Sequence, residues 1–121
     1  ELIASFDGGN IFRPTEPSMG GQPEWTTMGG WWHVDQNTLC GHVGRCTIQG
    51  LLTYTDADET TAGLCVVPKS HTMHDELCAR AAHAGLGDFV TVPASDPVLD
   101  APGRLICAKA GDLLLWDSRT V

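Results

Sequence analysis

Apolar and polar residues alternate along this chain in short runs broken by glycine and proline, a rhythm that predicts strands more often than helices. Residues 1–12 alternate weakly, with Leu2, Ala4 and Phe6 on one side, until Asp7-Gly8-Gly9-Asn10 breaks the run as a turn. Residues 14–24 hold Pro14, Pro17, Pro23 and Gly20-Gly21 and predict a loop. A first clear strand follows Trp25 and ends near Asp35. Residues 45–55, dense in Thr, Ile, Leu and Tyr, predict a long strand partly buried on both faces. Shorter strands are expected at 64–67, stopped by Pro68, at 89–92, closed by Pro93, at 104–109 and at 112–117, around Leu113-Leu114-Leu115-Trp116.

One segment has the helical period. Met73, Leu77 and Ala81 recur every four residues, Thr72 and Asp75 are spaced as a capping box, and Gly85 and Gly87 are expected to end the helix. Short strands, turn residues between them and one helical insertion predict an all-β, mainly antiparallel sandwich or barrel.

Length and charge narrow the picture. At 121 residues the chain is one domain or part of one, and a start at Glu1 and an apolar end at Val121 read as cut ends. With 15 Asp+Glu against 7 Lys+Arg and no basic cluster, nucleic acid and anionic membranes are not the expected partners. No run of about 18 apolar residues predicts a membrane span. Five cysteines, an odd number without a Cys-x-x-Cys pair, predict reduced thiols in an intracellular, cytoplasmic protein.

The candidate chemistry begins at Trp31-Trp32-His33-Val34-Asp35-Gln36. On an extended strand residues i and i+2 share a face, so His33 and Asp35 can converge on one ion. They are two thirds of the 2-His-1-carboxylate set that holds non-heme Fe(II) with open positions. A His-x-acid pair is weak evidence alone, because roughly 0.6 arise by chance from 5 His and 15 acidic residues. His74-Asp-Glu76 is a second such pair, but on a helix i and i+2 point apart. Cys40, His42 and Cys46 are the rival zinc donors, without a common zinc spacing or a fourth ligand. Asp56, Asp58 and Glu59 read as a solvated acidic turn rather than a Ca²⁺ loop. Trp25, Trp31 and Trp32 suit either a pocket wall or the core, and His71 the turn that starts the helix.

Several segments in order resemble the phytanoyl-CoA dioxygenase family. They are Trp32-His-Val-Asp-Gln36, the strand at 45–55, Gly63-Leu-Cys-Val-Val-Pro-Lys-Ser-His71, and Gly111-Asp-Leu-Leu-Leu-Trp-Asp-Ser-Arg-Thr-Val121. The resemblance covers about residues 25–121, with Lys69 where the family pattern has Gly. It implies a double-stranded β-helix, a cupin-like jelly roll, of which residues 1–121 form a part truncated at both ends. It implies Fe(II) and 2-oxoglutarate as cofactors, O2 as cosubstrate and hydroxylation of a small molecule, with 2-oxoglutarate decarboxylated to succinate and CO2. His33 and Asp35 fall on the first two iron ligands, and Gln49 on a strand facing the 2-oxoglutarate pocket. His71 falls on a histidine that is not a ligand. The third ligand, a histidine, is expected just after Val121 and the 2-oxoglutarate arginine about ten residues beyond, so Arg119 does not take that role. A cupin-like binding or structural domain without oxygenase activity is the alternative.

Overall fold

The structure is a computed structural model that describes residue 5 and residues 8–61, 63–81 and 87–121. Its strands are β1 (His33–Val34), β2 (Ile48–Leu52), β3 (Cys65–Val66), β4 (Val90–Thr91), β5 (Arg104–Leu105) and β6 (Leu113–Asp117), and the helix α1 (His74–Arg80) lies between β3 and β4. The strands pair two by two and antiparallel, as β1-β4, β2-β6 and β3-β5. The mainly antiparallel pairing and the single helix match the expected all-β class. The Leu2, Ala4 and Phe6 alternation lies outside the described residues.

Each predicted strand is present but shorter. Residues 45–55 contract to Ile48–Leu52, paired from Ile48 with Asp117 to Leu52 with Leu113. The next residue continues the contact without strand geometry, since Thr53 N–H donates to the Asp112 carbonyl at 3.0 Å and Gly111 N–H to the Thr53 carbonyl at 2.7 Å. Burial in β2 alternates strictly rather than covering both faces: Gln49 and Leu51 are half-buried while Ile48 and Leu52 are exposed. Beyond Leu105, the expected strand at 104–109 keeps only an isolated bridge between Ala57 and Ala108. The proline-rich segments form 3-10 turns, Pro17–Met19, Pro23–Trp25 and Pro97–Asp100, in which proline takes the position whose N–H needs no partner.

The helix departs from its expected start and face. A 3-10 turn, Ser70–Met73, leads into it, and Met73 stands at the N-cap without a side-chain cap. The Thr72 hydroxyl donates backwards to the Lys69 carbonyl at 2.8 Å, so no capping box forms with Asp75. The buried stripe is His74, Leu77 and Cys78, one residue round from the Met73 stripe. The helix ends at Arg80 with Ala81 N–H on the Leu77 carbonyl at 2.9 Å, and Gly85 lies outside the described residues.

The core gathers Val34, Val67, Leu77, Cys78, Val90, Val92, Val98 and Val121, with Trp32, Ala81 and Leu99 packed against it. Burial of each such valine or leucine contributes on the order of 1.5–3 kcal/mol. Val34 of β1 and its partner Val90 of β4 are both in this cluster, which orients β1: one face enters the core and the other turns outward.

Candidate functional site

Because Val34 points into the core, the residues on either side of it point away. Val34 is 1% exposed, whereas the side chains of His33 and Asp35 are 27% and 37% exposed. Both reach one cavity of about 70 Å³, whose lining also includes Trp32, Gln49, Cys65 and Trp116. Trp32 takes its place because residue 103 is glycine: a Cβ there would lie 2.5 Å from the indole edge.

His33 Nε2 lies 3.6 Å from Asp35 Oδ2. The other ring nitrogen, Nδ1, is 2.9 Å from the Trp31 carbonyl oxygen, which can only accept, so Nδ1 carries the proton. In the neutral imidazole, Nε2 therefore turns a lone pair towards the carboxylate. Gln49 Nε2 donates to Asp35 Oδ2 at 2.7 Å and orients the carboxylate from the β2 side. Asp35 raises the pKa of His33, against the opposing effect of burial. His33 first, then the Gln49 amide, hold Asp35 below the ordinary carboxylate range.

The strand end is fixed from below by Gln36, which is 2% exposed. Its Nε2 donates to the carbonyls of His42, at 3.0 Å, and of Gly44. Its Oε1 accepts from Ser118 Oγ at 2.8 Å and from Cys46 N–H at 3.2 Å. Its carbonyl accepts from His74 Nε2 at 2.6 Å, which lets that imidazole be buried at 1% exposure. Asp35 N–H adds a bond to the Ser118 carbonyl at 3.3 Å. Loop 42–46, α1 and the segment after β6 thus meet on the residue next to Asp35. Gln36, His74 and Ser118 are what sequence reading missed. The one available signal was the helical spacing of His74, Leu77, Cys78 and Ala81.

A divalent ion about 2.1 Å from each donor can bridge atoms up to about 4.2 Å apart, so His33 and Asp35 fit one ion as they stand. Among the described residues no group of three or more His, Cys, Asp or Glu side chains is placed to hold a metal. The zinc candidates go separate ways: Cys40 Sγ is on the Gly87 carbonyl, His42 on Asp88 and Cys46 Sγ on the Val43 carbonyl. Asp56 pairs with Lys109, and Asp58 binds Thr60. Trp31 and Trp32 line the cavity, whereas Trp25 lies under the Arg13 guanidinium, 4.5 Å from its ring centre. Arg119 is held on Asp117 by two bonds of 2.9 and 2.7 Å, and it lowers the pKa of Asp117 to about 2. Among the described residues that line the cavity there is no lysine or arginine.

A family model described as phytanoyl-CoA dioxygenase (PhyH) matches residues 15–121. No curated protein and no solved structure matches the chain. No helix among the described residues is long and apolar enough to cross a membrane.

Proposed function

The chain belongs to the phytanoyl-CoA dioxygenase family, and from that premise we propose that it is the catalytic core of an Fe(II)- and 2-oxoglutarate-dependent dioxygenase that hydroxylates a small molecule. One observation carries the reading. His33 Nε2 and Asp35 Oδ2, both electron-pair donors, face each other at 3.6 Å on a cavity wall. Asp35 Oδ2 accepts from the Gln49 amide at 2.7 Å, and a proton or a cation between it and His33 Nε2 would meet the lone pairs of both. Imidazole with carboxylate is the donor chemistry that suits Fe(II) with open positions.

The proposed roles follow from the contacts. His33 ligates through Nε2 while the Trp31 carbonyl holds its Nδ1 proton. Asp35 supplies the carboxylate, kept in its rotamer by Gln49, which also lines the cavity where the keto acid would lie. A histidine joined to Val121 in the parent protein is the proposed third ligand. Thr120 and Val121 already line the cavity, so the next residue starts at its wall. When bound, iron with 2-oxoglutarate supplies O2 activation coupled to decarboxylation of the keto acid to succinate and CO2. Trp32, Leu64, Val66 and Trp116 give that cavity an apolar wall. The antiparallel pairing is compatible with the double-stranded β-helix proposed for the parent.

A second reading, a cupin-like domain without oxygenase activity, is favoured by the two-membered rather than three-membered donor group among the described residues. One experiment separates the two. His33→Ala and Asp35→Ala, each made in the parent protein, are expected to abolish 2-oxoglutarate-dependent CO2 release. Turnover unchanged in both variants eliminates the iron-site assignment, and no turnover in the iron-loaded parent establishes the second reading.

A further inference from the structure

We infer that Trp31 and Phe89 form a ledge beside this site that binds the substrate through a flat, uncharged, apolar face such as an aromatic or alicyclic ring. The inference rests on the iron-site reading for the identity of the ligand as substrate, but the ledge itself is defined by its own geometry.

Three rings meet at the outer side of the cavity. The Trp31 and His33 ring centres are 4.6 Å apart, His33 and Phe89 stack at 4.9 Å with 30° between planes, and Trp31 and Phe89 are 5.9 Å apart. The two aromatic residues are nevertheless exposed, Trp31 at 71% and Phe89 at 44%. A Trp or Phe side chain has roughly 150–250 Å² to bury, so an exposed pair forgoes a large hydrophobic gain.

The rings are not left exposed by slack in the backbone. Asn37 Nδ2 donates to the Gly87 carbonyl at 2.9 Å, and His42 Nδ1 donates to Asp88 Oδ1 at 2.6 Å, immediately before Phe89. Immediately after it, Val90 pairs with Val34. On the other side, the Trp31 carbonyl receives the His33 proton and the Trp32 carbonyl receives Val92 N–H at 2.9 Å. Both segments are fixed, so the ledge is preorganised, which is what a binding surface needs.

The size of the cavity says where a substrate must lie. Pockets that enclose a small organic ligand run to about 300–1,000 Å³. At about 70 Å³ this cavity cannot enclose such a ligand, so most of a substrate would lie outside it. Trp31 and His33 belong to that mouth, and Phe89 continues the surface outward. Aromatic faces carry negative quadrupoles, which favour rings and apolar groups and give nothing to phosphates. A ring-bearing neutral body fits the ledge, and a polyanionic carrier does not.

The test uses the parent protein with Mn(II) standing in for iron, indole as the flat probe, and adenosine 3′,5′-bisphosphate as the polyanionic one. Proton spectra are expected to show indole shifting the Trp31 and Phe89 ring signals, and Mn(II) broadening the indole lines. Trp31→Ala and Phe89→Ala should each weaken indole binding about three- to tenfold. Trp31→Phe should restore most of it, and the bisphosphate should give neither shift nor broadening. Indole binding unaltered in both alanine variants overturns the ledge, as does preferential binding of the bisphosphate. Asp35→Ala reports on the iron reading separately: it removes the Mn(II) broadening, while indole shifts on Phe89 persist if the ledge stands.

Discussion

Two concavities of this molecule differ in what they leave unanswered. The larger, about 170 Å³, lies around Asp58, Cys107, Lys109 and Asp112. Its charges are already matched: Lys109 Nζ is 2.7 Å from Asp56 Oδ2, Asp112 Oδ2 accepts from Lys109 N–H, and Asp58 Oδ1 accepts from Thr60. The smaller, about 70 Å³, sets His33 Nε2 against Asp35 Oδ2 with both lone pairs facing inward. Volume alone would choose the first. Donor chemistry chooses the second, because of the two concavities it is the one that sets an imidazole nitrogen and a carboxylate oxygen within reach of a single added cation.

Three measurements bear on that contrast, beginning with the largest effect. Gln49→Ala removes the amide that orients Asp35 and is expected to weaken Mn(II) binding about 10- to 100-fold while the fold survives, since Gln49 is half-buried. Titration by paramagnetic broadening reads this directly, and equal affinity in the variant would show that the carboxylate needs no such support.

The second is pH. Metal must displace the proton that Asp35 stabilises on His33, so apparent Mn(II) affinity should fall about tenfold per pH unit below the raised His33 pKa and level off above it. In the metal-free chain the signs run oppositely for the two partners. The folded pKa of His33 is raised, so its stabilisation is present below its unfolded value of about 6.5 and is lost as pH rises through the folded value. That of Asp35 is lowered, so its stabilisation is present above about 3.9 and is lost as pH falls through the folded value. Metal-free stability from this pair is therefore greatest between those limits. A thermal midpoint in that window no higher in wild type than in Asp35→Asn would contradict it.

The smallest effect belongs to the larger concavity. Lys109→Ala breaks an ion pair in which the lysine side chain is 79% exposed. It should leave Mn(II) affinity unchanged and barely move the thermal midpoint. A metal-binding defect in this variant would mean that the two concavities communicate.

Legibility in the sequence followed locality. β2 and β6 were readable because their patterns lie within five-residue strands, and the shared face of His33 and Asp35 follows from strand geometry alone. Strand ends were overestimated because pairing stops where the partner strand stops, as at Leu52 opposite Leu113. Helical spacing places His74 in the first turn of α1 and says nothing of its burial. Its burial depends on a carbonyl 38 residues away, which no local pattern encodes. Gln49 was placed near the keto-acid pocket, and it does line the cavity, but its bond to Asp35 depends on side-chain directions across two strands. The family pattern, with Lys69 where glycine is usual, agrees with the backbone: Lys69 has φ 69°, a left-handed conformation that glycine adopts without strain.

The partners of Gln36 have a consequence for the order of assembly. They stand 6, 8, 10, 38 and 82 residues away along the chain. Closing the longest of these loops is entropically the most demanding, and until Ser118 arrives the peptide group before Asp35 lacks its support from the segment after β6. His33 and Asp35 are synthesised early but become a fixed pair only when nearly the whole described chain has condensed. The fixed geometry of this pair is therefore a product of late folding and not its seed, and a ribosome-bound chain ending before residue 118 would carry both side chains without the arrangement that brings them together.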